Sequence, residues 1–191
     1  FDKKAMRKHG AECFTPANDG TEETIIQLLV EPQWESDYWP YIEARSTATL
    51  KSLDQFLRDI WVELCDHLSC FLKKKARVRM RTLIGDYFTQ NNLRLDYEYD
   101  FGSTTELKIK SVGRRQGRLG KRSIELSARN NPPVFKCLKC RKQAVVLCQY
   151  CMDDDSFFCK EHAEEHGCAS PDEYLPVVNS PRMGMCGYTG D

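Results

Sequence analysis

Between Cys137 and Cys168 the chain reads Cys137-Leu-Lys-Cys140, Cys148-Gln-Tyr-Cys151, Cys159-Lys-Glu-His162 and His166-Gly-Cys168. Six of its ten cysteines and two of its four histidines fall in these 32 residues. Thiolate sulfur and imidazole nitrogen are the ligands zinc prefers, and two of them three positions apart grip one ion from a tight turn. Eight ligands suffice for two tetrahedral ions, and the intervals suggest how they divide. Adjacent pairs among the first three are separated by only seven residues, short of the roughly 12 to 20 usual within one site. Skipping a pair restores that range: 18 residues lie between Cys140 and Cys159, and 14 between Cys151 and His166. The spacing predicts two interleaved zinc sites, one of Cys137, Cys140, Cys159 and His162, the other of Cys148, Cys151, His166 and Cys168. His166-x-Cys168 is the least regular pair, which leaves open one complete site beside a half-filled one.

This pattern resembles the cross-brace zinc fingers of the B-box, MYND and HIT kinds, over this segment only and with spacings that match none of the three in full. The resemblance implies a small treble-clef-like finger with structural zinc and a protein partner. A disulfide scaffold is the other use of so many cysteines. No apolar leader precedes the segment, and Cys13, Cys65, Cys70 and Cys186 are scattered, so the paired ligands read as metal sites in a reducing, cytoplasmic setting. The chain opens on Phe1 and reads as a fragment or a processed form.

The remainder sets an α+β expectation: an antiparallel or mixed sheet with one main helix packed on it. Residues 1–21 read as a tail or linker, 22–130 as the α+β domain, 131–170 as the zinc-binding domain and 171–191 as an extended tail that could pack back on the first domain. Thr24–Val30 and Trp39–Arg45 are strand candidates. Thr49 is an N-cap for a helix from Leu50 to about Cys65, whose apolar face is Leu50, Leu53, Leu57, Ile60, Trp61 and Leu64. Asp54, Arg58 and Asp59 are expected on its opposite side. His67–Phe71 reads as a strand. Leu93–Gly102 alternates apolar with charged residues, as a half-buried antiparallel strand does. Thr105–Val112 and Ser123–Ala128 follow, joined by a glycine- and arginine-rich loop, Gly113–Gly120, that reads as a mobile hairpin tip. Asn130-Asn-Pro-Pro133 is the natural linker to the cysteine-rich segment.

Charge is balanced, with 28 basic and 28 acidic residues, so the whole chain projects no strong field. Two basic stretches nevertheless offer nucleic-acid contacts. Lys73, Lys74, Lys75, Arg77, Arg79 and Arg81 occupy nine positions, and the three arginines would share one face of a strand. Arg114, Arg115, Arg118, Lys121 and Arg122 surround the expected hairpin tip. Solvated faces paired with acidic neighbours are the bland alternative for both. No run of about 18 apolar residues marks a membrane span.

A strand like Ile25–Val30, the helix start Thr49-Leu50 with Leu53, the motif His67-Leu68-x-x-Phe71 and above all Tyr97-Glu-Tyr99-Asp100-Phe101-Gly102 resemble the plasmid pRiA4b ORF-3-like family over residues 22–130. The resemblance implies a largely antiparallel α+β domain from plasmid and transposon neighbourhoods, with no agreed biochemical activity. Family members commonly continue the glycine with an aspartate and a tryptophan two residues on; here the stretch is Gly102-Ser103-Thr104-Thr105. Carry-over is confined to His67 and Asp100 as candidates, with structural roles expected for both: His67 at a strand start and Asp100 as a turn ligand.

Enzyme patterns fare poorly. His162-Ala-Glu-Glu165-His166 matches the His-x-x-Glu-His pattern of one zinc hydrolase class, with Glu165 as base. Cys159 and Cys168 would then occupy positions that a catalytic zinc keeps open for water. No His-x-Glu triplet precedes Cys137 as a zinc deaminase requires. The sequence therefore favours a non-catalytic zinc protein acting through protein contacts, with nucleic-acid binding second and zinc hydrolysis remote. Asp153-Asp-Asp155 and the pair Phe157-Phe158 lie where they could face a partner, one of the phenylalanines being expected in the finger's small core.

Overall fold

The computed structural model describes residues 22–34, 37–62, 65–151, 156–168 and 173–190. The expected basic tail, Cys13 and the acidic run 153–155 lie outside these residues. The chain divides into two compact units, one of residues 1–60 and 67–130, the other of residues 61–66 and 131–191. The division at Asn130/Asn131 falls in the asparagine-proline linker.

The first unit is a seven-stranded sheet with a helix on it. Its strands are β1 (Glu23–Pro32), β2 (Pro40–Arg45), β3 (Ser69–Lys73), β4 (Ala76–Val78), β5 (Arg94–Tyr99), β6 (Thr105–Gly117) and β7 (Ile124–Arg129). They lie in the order β4-β3-β5-β6-β1-β2-β7, and every neighbouring pair is antiparallel. β5 follows its sequence alternation: Leu95, Tyr97 and Tyr99 are buried, while Arg94, Asp96 and Glu98 face outward. That period-2 burial is the physical reason the strand was legible.

Helix α1 (Leu50–Leu57) starts where expected, with the Thr49 hydroxyl accepting from the Ser52 N–H at 3.2 Å. It is shorter than its apolar stripe suggests. A π-helical turn, Arg58–Val62, takes over, and the second unit begins within it at Trp61, which is buried, as is Val62. Asp54 is a correction. Expected on the solvent side, it is buried in the helix face that meets the sheet. Its Oδ1 accepts from Tyr97 Oη at 2.7 Å and Ser69 Oγ at 2.6 Å, and its Oδ2 from Arg58 Nε at 3.1 Å. A short helix α2 (Ile84–Tyr87) completes the layer.

Two further expectations change. The arginine-rich strand over 73–81 is only Ala76–Val78. Beyond Val78 the carbonyls of Met80 and Thr82 turn to receive the N–H groups of Lys51 and Leu50, at 2.8 and 2.9 Å. Those are donors that the first turn of a helix leaves unsatisfied, so Arg79 and Arg81 do not share a strand face with Arg77. Gly113–Gly120 is also no hairpin tip. β6 runs on to Gly117 by pairing with the ten-residue β1, through a bulge opposite Gln27/Leu28, and β7 pairs with β2 at the far edge instead. Glycine in a strand commonly marks such a bulge; a side chain at Gly113 would run into the Gln27 carboxamide.

The second unit holds a small antiparallel sheet in the order β10-β8-β9, made of β8 (Val146–Leu147), β9 (Phe157–Phe158) and β10 (Leu175–Pro176), together with helix α3 (Lys160–His166). Residues 171–191 are thus not merely an extended tail, because β10 adds a strand to this sheet. Further along, Trp61 Nε1 donates to the Asn179 carbonyl at 3.1 Å, and Ser180 Oγ donates to the Trp61 carbonyl at 2.6 Å. One core cluster of the unit is Cys137, Cys148, Phe158, Cys159, Ala163 and Tyr174, and Ala144, Leu147, Leu175 and Tyr188 are buried as well.

Candidate metal centre

Each ligand pair sits in a turn built by the backbone. Cys137 donates its N–H to the Lys142 carbonyl at 2.7 Å and accepts from Arg141 N–H at 3.0 Å, closing the first knuckle. Cys148 enters the second knuckle from β8, tied by its N–H to the Ser156 carbonyl at 2.9 Å. Cys159 caps α3, which carries His162 and His166 one turn apart. Gly167 then ends the helix in the left-handed conformation, φ 70°, and this reverses the chain so that Cys168 returns toward Cys151. The sequence reading left Gly167 unused, and it is what makes the irregular His-x-Cys pair workable.

Four ligand atoms converge at each of two places. Cys137, Cys140, Cys159 and His162 form one group, and Cys148, Cys151, His166 and Cys168 the other; within each group the atoms lie within 4.8 Å of one another. In the first, Cys140 Sγ is 3.8 Å from Cys159 Sγ, and His162 Nδ1 is 3.7 Å from Cys137 Sγ and 3.2 Å from Cys159 Sγ. In the second, Cys151 Sγ is 3.0 Å from His166 Nε2 and 3.7 Å from Cys168 Sγ. A tetrahedron with metal–sulfur bonds of about 2.3 Å has S···S edges of about 3.8 Å, and its S···N edges are slightly shorter. Disulfides need about 2.05 Å, and none of the nine cysteines among the described residues forms one. The donor sets, each of three thiols and an imidazole, therefore fit a tetrahedral metal ion. The grouping is the interleaved one that the spacing predicts.

Aromatic rings shape the second cluster. Phe158 is fully buried and its ring lies 4.1 Å from that of His166, while Tyr174 approaches the same imidazole from 6.2 Å. Phe157 is the half-buried member of the pair and stacks on Phe135 at 4.2 Å. The thiols respond to their settings. Burial raises the Cys137 thiol, but the backbone N–H groups of Cys159, Cys140 and Lys139 outweigh it and bring it down to about 6. Burial, then the neighbouring Cys168 and Cys148, push Cys151 up to about 12. Thiolates gathered this closely repel one another, and a cation removes that penalty.

The hydrolase reading needs His162 and His166 on one ion. They go to different clusters, and Glu165 is exposed. The family-motif residues take structural positions. His67 Nε2 lies 3.6 Å from Asp100 Oδ2, and the His67 N–H donates to Tyr99 Oη at 3.3 Å. Asp100 has φ 63°, and its carboxylate accepts from the Gly102 N–H at 3.0 Å, the turn-ligand role expected of it. Tyr97 is buried against Asp54; burial first, then the Asp54 charge, raises its hydroxyl well above the ordinary tyrosine range. Phe101 is exposed, beneath Arg77.

The basic residues divide into two kinds. Arg115 makes a two-pronged pair with Glu43, at 2.9 and 2.5 Å, and Arg114 Nη2 donates to the Phe88 carbonyl at 2.9 Å, so both are engaged within the fold. Arg118, Lys121 and Arg122 are exposed between β6 and β7, and Lys73, Lys74, Lys75, Arg77, Arg79 and Arg81 are exposed at the opposite side of the sheet. Among the described residues no helix is long and apolar enough to cross a membrane.

No protein-family model matches the chain, and no curated protein matches it. One solved structure to which it is similar is the crystal structure of the protein of unknown function MM3350 from Methanosarcina mazei Go1. The two share 16% identity at a TM-score of 0.48, over 57% of this chain and 70% of that one.

Proposed function

We propose that the second unit is a non-catalytic zinc module whose two ions are structural and hold a surface for a protein partner. One observation carries this reading: eight protein ligands fall into two groups of four, each a Cys3His set with every coordination position filled. A closed set of this kind is typical of structural zinc, whereas catalytic zinc retains an open position for water. Sulfur-rich tetrahedral sites select zinc over harder divalent ions. The likeness of residues 22–130 to the pRiA4b ORF-3-like family accompanies this reading; it adds a mobile-element setting and no chemistry.

Support for a partner comes from the module's surface. Val134, Leu138, Val145 and Tyr150 are large apolar or aromatic residues at least 49% exposed. The test is an affinity capture with the wild-type chain and with Leu138→Ser/Val145→Ser, each checked for zinc content. The expected result is loss of the captured protein from the variant at unchanged zinc. Equal capture by both contradicts the reading.

A further inference from the structure

The β3–β4 hairpin is built in a costly way. Lys73 pairs with Ala76, so Lys74 and Lys75 alone form the turn, with φ values of 48° and 69°. A two-residue turn with both residues left-handed is of type I′, whose twist suits a hairpin and whose preferred residues are asparagine and glycine. A lysine there sets its Cβ against the following carbonyl. Strained backbone that persists is concentrated at functional sites. β4 is the last strand of the sheet, and charge on an edge strand also guards against pairing with other chains. Edge protection accounts for Arg77. It does not account for two lysines in the turn itself.

The hairpin is dense in basic residues. Lys73, Lys74, Lys75, Arg77, Arg79 and Arg81 are all exposed. Among the described residues none of the six makes an ion pair with a carboxylate. Their partners are aromatic: Lys73 Nζ lies 5.4 Å from the centre of the Tyr87 ring, and the Arg77 guanidinium 5.6 Å from that of Phe101, itself 45% exposed. Cations tracking a phosphate backbone beside an open aromatic face are the elements of single-strand recognition, since every unpaired base has a face to stack. A duplex offers no such face.

We propose that this hairpin binds single-stranded nucleic acid, with Lys74, Lys75 and Arg77 on the phosphates and Phe101 stacking a base; Lys73 points to the other face of the sheet, toward Tyr87. The surface belongs to the first unit and does not depend on the zinc module. The test is fluorescence anisotropy of the full chain with a labelled oligothymidylate of about a dozen nucleotides, an equal-length duplex, and a polyglutamate competitor. With about three phosphate contacts, affinity should fall roughly 20-fold between ~50 and ~200 mM salt. Lys74→Asn/Lys75→Gly removes two charges while giving the turn its preferred residues. It should weaken binding about tenfold, lower the salt slope by about 1.4 and raise the melting temperature, so the loss cannot be misfolding. Phe101→Ala should bind single strand and duplex alike. The proposal fails if no binding is seen at ~50 mM salt, if the double variant binds like wild type, if duplex is bound as tightly as single strand, or if polyglutamate displaces the oligonucleotide at equal charge.

Discussion

Asp54 is a polar junction of the first unit. It accepts from the hydroxyls of Ser69 and Tyr97 and from Arg58, linking α1 to β3 and β5. Its charge placed it among the solvent-facing residues, against a helical position four after Leu50 and three before Leu57 that lies on the apolar stripe; the period says nothing of partners. One signal was available: Asp54 and Arg58 stand four apart, the spacing of an ion pair along a helix. Asp54→Ala should leave the Arg58 charge and the Tyr97 hydroxyl short of a partner in a largely dry site. The expected loss is about 3 kcal/mol, read by urea unfolding; a loss under ~0.5 kcal/mol would mean that water satisfies both groups. Gly85 is a second residue whose role emerges only in three dimensions. A methyl there would meet the Ser46 Cβ at 2.7 Å and the Ser46 carbonyl oxygen at 2.9 Å. Gly85→Ala should therefore cost about 1–3 kcal/mol in the same measurement, through overpacking against backbone.

Among the elements, those with one wet face and one dry face were legible. β5 and the opening of α1 follow directly from alternation and from the Thr49 cap. The failures were elements whose limits depend on distant neighbours. β6 passes through Gly113 because β1 is long enough to pair with it, and β4 stops at Val78 because the next carbonyls satisfy the start of α1. Local sequence carries neither fact. The β3–β4 turn allows a direct check at this scale. Replacing Lys74 and Lys75 by asparagine and glycine should stabilise the first unit by roughly 1–2 kcal/mol, since both residues now sit in the left-handed region. An unchanged or lowered unfolding midpoint would show that the lysines hold the turn at no cost.

At the scale of the whole molecule, the chain joins a unit with its own extended sheet to a smaller one of some sixty residues. Phe158, Ala163 and Tyr174 are the buried non-cysteine members of the core cluster that contains the ligands. A unit of this size is marginal on apolar burial alone, whereas structural zinc supplies about 10–16 kcal/mol per ion. Chelation should therefore collapse hydrogen-exchange protection over 137–168 while 94–99 and 105–117 keep theirs; protection that survives in both regions would rule out zinc as the folding energy of the second unit. The eight residues of the two clusters that could hold a metal ion, and their division, were legible because ligand spacing is a local property of a metal site. Gly167, which lets Cys168 take part, was not, since its role depends on where the chain must go next. The central claim is the interleaved wiring, and native mass spectrometry of metal content tests it with two double variants. Wild type should carry two zinc ions. Cys137→Ser/Cys159→Ser removes two ligands from one interleaved site and should leave one ion, while Cys137→Ser/Cys148→Ser removes one ligand from each and should leave none. A sequential arrangement gives the reverse order for the two variants, and that result, or a single ion in wild type, would contradict the account.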